Sequence, residues 1–320
     1  MRKLVAVLLL CATGPLTAAE FPTRPINLMV AYPAGGSTDV GARIVAAIAE
    51  KIAGQSIVVV NKAGAGGQVG WTELSRHKPD GYNIAFINLP ALNTVILDSD
   101  RKAIFKIDSF TPIANQVLDP GVVWVKGDSQ YKTMQNLIDA AKKTPNKISA
   151  VTTGILSDDH LAILMVEEVN PGAIFRIAHL DGGAPQMTAI LGGHVEVAFD
   201  NVGSIFKRVR SGEVRALAVM DSARSKFLPD VPTTVELGMK SVVSSSTRGI
   251  AGPKGMPPAV VARLQEILSK AMADPEHTQK LEASGLGIKV MVGDEYATYY
   301  KELHGKAAKY TEWARKRPHK

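Results

Sequence analysis

Apolar residues recur at every second position over Ile26, Leu28 and Val30, then at every fourth over Val40, Ile44, Ile48 and Ile52. The first period is that of a strand and the second that of a helix. The same switching continues down the chain. Strands are predicted at Ile57–Val60, Asn83–Ile87, Val122–Val125, Ile148–Thr152, Ile174–Ala178, Val195–Phe199 and Arg215–Val219. Helices are predicted near Val40–Ile52, Thr133–Lys143, Asp159–Val169, Pro185–Leu191 and Gly203–Arg210, with Gly54, Gly192 and Gly212 where left-handed C-caps belong. Pro257-Pro258 opens a further helix with Val261, Leu264, Leu268 and Met272 on one face. Asp294 caps the last, whose Tyr296, Tyr300, Leu303 and Tyr310 read as core. Strands alternating with helices of this length form βαβ units around a mostly parallel sheet, so the class is α/β. No internal repeat or low-complexity segment interrupts the pattern.

The chain has 320 residues, more than one ordinary core requires, and two domains are expected. Its start has a different character. Arg2 and Lys3 precede an apolar run from Leu4 to Leu10, and the small residues Thr17-Ala18-Ala19 offer a cleavage point before Glu20. Residues 1–19 therefore read as a signal peptide that sends the chain to the periplasm. Leu10 stands where lipid attachment requires a small residue, which argues against a lipoprotein. The single cysteine, Cys11, falls within that segment, so the mature chain is expected to have no disulfide, thiolate ligand or cysteine nucleophile. No later run approaches the roughly 20 apolar residues of a membrane span. Loss of Arg2 and Lys3 lowers the net charge from +7 to +5. The one basic cluster, Arg315-Lys316-Arg317 with Lys320, has no interleaved aromatics and reads as a solvated helix end; no nucleic acid is expected as partner.

Candidate chemistry concentrates in glycine turns. Between the first strand and first helix lies Ala31-Tyr32-Pro33-Ala34-Gly35-Gly36-Ser37-Thr38-Asp39. Two glycines and two hydroxyls at a strand-to-helix turn admit two readings: a cap, with Ser37 or Thr38 as N-cap and Asp39 in the first turn, or an anion site on uncovered backbone N–H groups. A second turn, Asn61-Lys62-Ala63-Gly64-Ala65-Gly66-Gly67-Gln68-Val69-Gly70, follows the next strand. Val69 stands where a dinucleotide fingerprint needs its third glycine, and no Gly-Lys-Ser/Thr follows, so no nucleotide cofactor is expected. Both turns fall on the carboxyl edge of the sheet, where open α/β folds bind ligands. Catalytic signatures are absent: no Gly-x-Ser-x-Gly elbow and no His-Glu-x-x-His pair. The seven histidines include no pair at metal-ligand spacing on one helix face, and no metal is expected. His160, just inside a helix opened by Ser157-Asp158-Asp159, is the one suggestive position, for a structural hydrogen bond or a ligand contact.

In this order the motifs Tyr32-Pro33-Ala34-Gly35-Gly36-Ser37-Thr38-Asp39, Asn61-x-x-Gly64-Ala65-Gly66-Gly67, Pro79-Asp80-Gly81-Tyr82, Gly182-Gly183-Ala184-Pro185 and Leu228-Pro229-Asp230-Val231-Pro232-Thr233 resemble the Bug family. These are the periplasmic substrate-binding proteins of tripartite tricarboxylate transporters. The resemblance covers the whole mature chain. It implies a two-domain periplasmic-binding-protein clamshell, or Venus flytrap, with two crossing hinge strands near Val117–Asp119 and Val219–Asp230. Domain 1 would hold residues 20–119 and 231–320, and domain 2 residues 120–230. The family holds a carboxylate through backbone donors and ordered waters at the glycine turns, without an arginine clamp.

The chain departs from the family in the second domain. Leu156 replaces a glycine in Gly154-Ile155-Leu156-Ser157, and His179-Leu180-Asp181 replaces a Pro-Tyr pair and the residue after it. An aromatic common near Thr247 is missing. The expected ligand-binding set is Tyr32, Gly36, Ser37 and Thr38 as one wall, Ala65 and Gly66 as backbone donors, and Asn88 through its amide. Thr153, Ser157, His160 and Asp200 would come from the other domain, Asp200 being equally suited to hinge hydrogen bonding. The expectation is a non-catalytic, cofactor-free monomer that captures a small organic acid. It would serve the membrane subunits of a tripartite tricarboxylate transporter or, alternatively, a sensor kinase. Asp158 and Asp181 near the cleft would disfavour a ligand with a carboxylate at both ends.

Overall fold

The computed structural model describes residues 21–317, so the expected signal segment 1–19 lies outside the described residues. The first half of the chain forms β1 (Ile26–Val30), α1 (Ser37–Ala53), β2 (Ile57–Asn61), α2 (Gln68–Arg76), β3 (Asn83–Leu89), α3 (Ala91–Leu97), β4 (Phe110–Lys126), α4 (Met134–Lys143), β5 (Ser149–Thr152) and α5 (Asp158–Val169). Then follow β6 (Arg176–His179), α6 (Gly183–Leu191), β7 (Val197–Asn201), α7 (Val202–Arg210), β8 (Val214–Met220), β9 (Ser245–Pro253), α8 (Pro258–Ala273), α9 (Pro275–Glu282), β10 (Ile288–Val292) and α10 (Asp294–Arg315).

The strands run in the order β2-β1-β3-β9-β4-β7-β5-β6, with β8 and β10 also paired to β4. The long strand β4 divides this array into two lobes. Its first part, Phe110 to Pro120, pairs with β9, and its second, Gly121 to Val125, pairs with β7 and β8. The exchange falls on a Pro-Gly pair. Pro120 has no N–H to leave unpaired where partners change. A side chain at Gly121 would stand 3.1 Å from the Met220 sulfur and 3.2 Å from the Ser244 carbonyl.

Each lobe is wound on both faces of its sheet. In the first, Val45 and Ile48 of α1 and Leu264 and Leu268 of α8 cover one side. Trp71 of α2, Leu92 of α3 and Tyr296 of α10 cover the other. In the second lobe Leu137 and Ile163 pack on one face, and Ile190 and Ile205 on the opposite face. Covered on both faces, β3 is buried continuously from Ile84 to Leu89 instead of alternating.

The predicted strands and helices are present, with shifted ends. Gly54 and Gly212 adopt left-handed backbone, but Gly192 does not: its φ is −73°, and Gly193 at +72° makes the turn. The N-cap of α10 is Gly293, and Asp294 lies in the first turn. Five elements escape the periodicity: α2, α3, α9, β9 and β10. β9, Ser-Ser-Thr-Arg-Gly-Ile-Ala-Gly-Pro, has small residues wedged between β3 and β4 and no apolar alternation. Residues 231–244 remain with the second lobe, where Met239 and Val242 enter the core and the Thr234 N–H donates to the Val219 carbonyl. The return to the first lobe runs through β9, beginning at Ser245, rather than near Val231.

Candidate functional site

The carboxyl ends of β1, β3, β5 and β7 converge between the lobes, the edge where open α/β sheets take ligands. There a small inner cavity of about 30 Å³ adjoins an outer chamber of about 410 Å³, the two sharing Gly36, Ser37 and Gly183. Of the expected residues, Tyr32, Gly36, Ser37, Thr38 and Asn88 line the inner cavity from the first lobe, and Thr153 and Asp200 from the second.

The first wall is a helix start without a side-chain cap. Gly36 is the N-cap of α1, and neither Ser37 nor Thr38 caps it. Their hydroxyls are engaged in tertiary contacts: Ser37 Oγ and Ser204 Oγ share a hydrogen bond at 3.1 Å, and Asn88 Nδ2 donates to Thr38 Oγ1 at 2.9 Å. The turn is braced by Asp39, whose carboxylate accepts from the Gly35 N–H, the Arg43 guanidinium and Asn61 Nδ2. Burial opposes ionisation of Asp39, but these donors outweigh it and hold its carboxyl below the usual range. Across the cleft the N-cap of α6 is Gly182, φ +94°, also without a side-chain cap. Pro33 and Tyr32 press on this glycine, and a side chain there would meet them at 3.3 and 3.4 Å. Two uncapped helix starts thus line one chamber, and their backbone N–H groups and dipoles favour an anion.

The second wall is acidic. Asp200, at the end of β7, accepts through Oδ1 from the Asn201 N–H and Ser204 Oγ, while Oδ2 has no partner. Burial pushes its carboxyl up to about 7, against the opposing pull of those donors and of Arg248. Asp158 accepts from Asn201 Nδ2 at 2.8 Å, and burial raises it as well. Asp159 lies behind, held by the Thr153 N–H and hydroxyl; burial and then the neighbouring Asp158 and Asp200 raise it well above an ordinary carboxyl. Tyr32 is shifted upward by burial and by Asp158 and Asp159, so its phenol stays neutral.

Asn201, Ser246 and Arg248 line the cavity and escaped the sequence reading, and Arg248 qualifies the expectation of a site without arginine. Arg248 on β9 is 2 % exposed and lines the inner cavity. Nη1 binds Asp119 of β4 at 2.8 Å and Nη2 binds Asn201 Oδ1 at 3.1 Å, so its charge is matched within the protein. The available signal was a lone arginine among small residues in an otherwise uncharged stretch.

Four expected residues lie outside that lining. Ala65 and Gly66 form a short 3₁₀ turn; the Ala65 carbonyl accepts from Arg101 at 2.5 Å, and the Gly66 N–H donates to Asp181 across the cleft at 2.8 Å. The backbone donor at Gly66 therefore faces a carboxylate of this chain. Ser157 is the N-cap of α5, accepting from the His160 N–H. His160 is buried behind it, its Nδ1 accepting from the Leu156 N–H and its ring set edge-on to His179 at 4.6 Å. Leu156, in place of the family's glycine, occupies left-handed backbone at φ +57°. Among the described residues no group of three or more His, Cys, Asp or Glu side chains could hold a metal ion. No described helix is long and apolar enough to cross a membrane.

Two βαβ lobes joined through β4 and β9 around a polar cleft define the periplasmic-binding-protein class. Residues 41–311 match the tripartite tricarboxylate transporter family receptor, and the chain belongs to that family of solute-binding receptors. Protein BugT of Bordetella pertussis is 30% identical over 291 residues, 89% of each chain. The solved periplasmic binding protein BugD superposes with a TM-score of 0.84 at 30% identity, over 92% of this chain and 98% of its own. MatC of Rhodopseudomonas palustris, solved with bound malate, shares the fold with a TM-score of 0.83 at 23% identity, over 91% and 100%.

Proposed function

We propose that this protein is a periplasmic receptor that closes its two lobes on a small carboxylate-bearing solute and presents it to the membrane subunits of a tripartite tricarboxylate-type transporter. The observation that carries this reading is an inter-lobe cavity lined from both sides at the carboxyl ends of the strands. The uncapped start of α1 at Gly36 and of α6 at Gly183 would receive the carboxylate, with Ser37, Thr38 and Tyr32 as flanking donors. Asn88, Thr153 and Asp200 would orient the remainder. Malate bound to MatC is consistent with a carboxylate in this fold. Neither Ser37 nor Ser157, the two serines of the expected site, is held as an activated nucleophile. Ser37 Oγ meets another hydroxyl, and Ser157 Oγ accepts a backbone N–H, so no base is hydrogen-bonded to either as an activated nucleophile requires.

A thermal-shift screen of small mono-, di- and amino-carboxylates tests the reading. A ligand at one hundred times its Kd stabilises by about 2.7 kcal/mol, and the melting point should rise by about 4–8 °C. Gly36→Val probes the wall. The backbone there, φ −77° and ψ 166°, accepts a side chain, and the nearest atom, the Pro33 carbonyl oxygen, is 3.9 Å from the new Cβ. Valine is a poorer N-cap than glycine, so stability should fall by about 0.5–1 kcal/mol, while binding of the best carboxylate falls at least about tenfold. A panel in which no carboxylate raises the melting point would overturn the reading.

A further inference from the structure

The inner cavity is built for the opposite charge from the outer chamber. Asp200 is 3 % exposed, and its Oδ2 has no hydrogen-bond partner. That oxygen lies 3.0 Å from where a side chain on Gly183 would begin, at the junction of the two spaces. Asp158 stands beside it on the same lining, its Oδ2 taken by Asn201. Arg248, the guanidinium on this lining, is bound to Asp119 at 2.8 Å. Its charge also reaches Asp158 and Asp200, so a single guanidinium serves three buried carboxylates. A volume of about 30 Å³ holds one or two water-sized groups. An ammonium is the size of one such group, and the lining offers it two buried carboxylates. The outer chamber has room for the rest of a small acid and carries the two uncapped helix starts, with Lys207 on its rim.

We propose that the receptor selects acids bearing a primary ammonium at the end remote from the carboxylate. The ammonium enters the inner cavity against Asp200 Oδ2 and Asp158, and the carboxylate rests between the starts of α1 and α6. This rests on the reading of the protein as a carboxylate receptor and narrows its substrate class to ω-amino acids. The buried carboxylates then gain their missing counter-charge from the ligand, and an α,ω-diacid would place a second anion where two already stand. The groups facing Asp200 are Asp158 and Asp159 on α5, Asp119 on β4, Arg248 on β9 and Tyr32 after β1. Burial pushes its carboxyl up to about 7 against the pull of the Asn201 N–H, Ser204 and Arg248, so the ionised form that receives the ammonium grows about tenfold between pH 6 and pH 8.

The test is calorimetry on the full mature chain with three matched series from three to six carbons: ω-amino acids such as 4-aminobutyrate, diacids such as succinate, and monoacids such as butyrate. The best ω-amino acid is expected to bind at least tenfold more tightly than the diacid and monoacid of its length, and about tenfold more tightly at pH 8 than at pH 6. Asp200→Asn should abolish that preference while its melting curve reports an intact fold. A diacid that binds the natural protein as tightly as the ω-amino acid overturns the inference, as does an Asp200→Asn variant that keeps the preference. Should diacids or monoacids bind and ω-amino acids not, the inference alone fails. Should no member of any series bind, the receptor reading fails with it.

Discussion

Arg248 and Asp119 come from the two strands that join the lobes, and both are buried. Such a pair stabilises little relative to well-packed apolar residues, because two charges must be stripped of water to form it. Breaking it is another matter. Arg248→Met leaves Asp119 buried without its counter-charge and should destabilise by about 3–5 kcal/mol in urea unfolding. The double change with Asp119→Leu should recover most of that loss; a double variant no better than the single would show that the pair is not the source. Asp200 makes a prediction of opposite sign to the ordinary carboxylate. Its folded pKa, about 7, lies above the unfolded value, so between about pH 4 and pH 7 the native state binds the extra proton. Its contribution is complete below the unfolded pKa and is lost as pH rises through 7. Ligand-free protein should therefore unfold at lower urea concentration at pH 8 than at pH 5, with a smaller difference in Asp200→Asn. Asp158 and Asp159 add slopes of the same sign, whereas Asp39, shifted downward, contributes stability above pH 4 that acid removes.

At the scale of elements, α10 does more than cover a sheet. Tyr296 and Tyr300 anchor its start in the first lobe. Its last turn reaches the second lobe, where Trp313 and Ala314 pack on Leu156, Leu161 and Leu164. Arg317 donates to the Leu164 carbonyl at 3.1 Å, pairs with Glu168 and stacks 4.4 Å above the Trp313 ring. This tail is a third link between lobes beside β4 and β9. It also accounts for Leu156. Left-handed backbone disfavours a leucine by about 1–2 kcal/mol, and burying the side chain under the tail offsets a similar amount. Trp313→Ala with Arg317→Ala removes the tail's grip and leaves the cleft intact. The ligand-free radius of gyration should increase, and affinity should fall severalfold because the binding-competent closed form is less populated. Unchanged scattering and affinity would reduce the tail to a packing feature.

For the whole molecule, closure is the event that matters. The lobes meet through the Gly66–Asp181 hydrogen bond and the Ser37–Ser204 hydroxyl pair, and only a few chain segments link them. Such a joint can hinge by changing φ and ψ at a few residues. Ligand contacts shared by both lobes then shift the population toward the closed form by their differential affinity. Saturating ligand should shrink the radius of gyration in solution scattering. Asp181→Ala removes a bridge without touching the inner cavity. It should speed ligand release about three- to tenfold with little change in association rate, since interface changes act mainly on dissociation. A variant that releases ligand at the natural rate would show that the bridge plays no part in holding the lobes together.

The amino-acid sequence by itself determined what depends on neighbours along the chain. The change of apolar period across Ala31–Asp39 lies within a dozen residues, so the strand, the glycine turn and the helix start were all legible there, as were the alternating βαβ units. The reading of Ser37 and Thr38 as caps was not decided locally: their hydroxyls bind Ser204 and Asn88, which are 167 and 50 residues away. The role of Arg248 was not decided locally for the same reason. Its partners Asp119 and Asn201 stand 129 and 47 residues from it, and β9 offers no periodicity because small residues fit between two neighbouring strands. Whether Gly66 offers its N–H outward or to Asp181, 115 residues on, depends on how one lobe rests on the other. Hydrophobic period reports which face of an element is dry. The pairing of β4 with β9 and then β7, together with the rotation between lobes, decided which buried carboxylates share the one guanidinium, because charge matching acts through space.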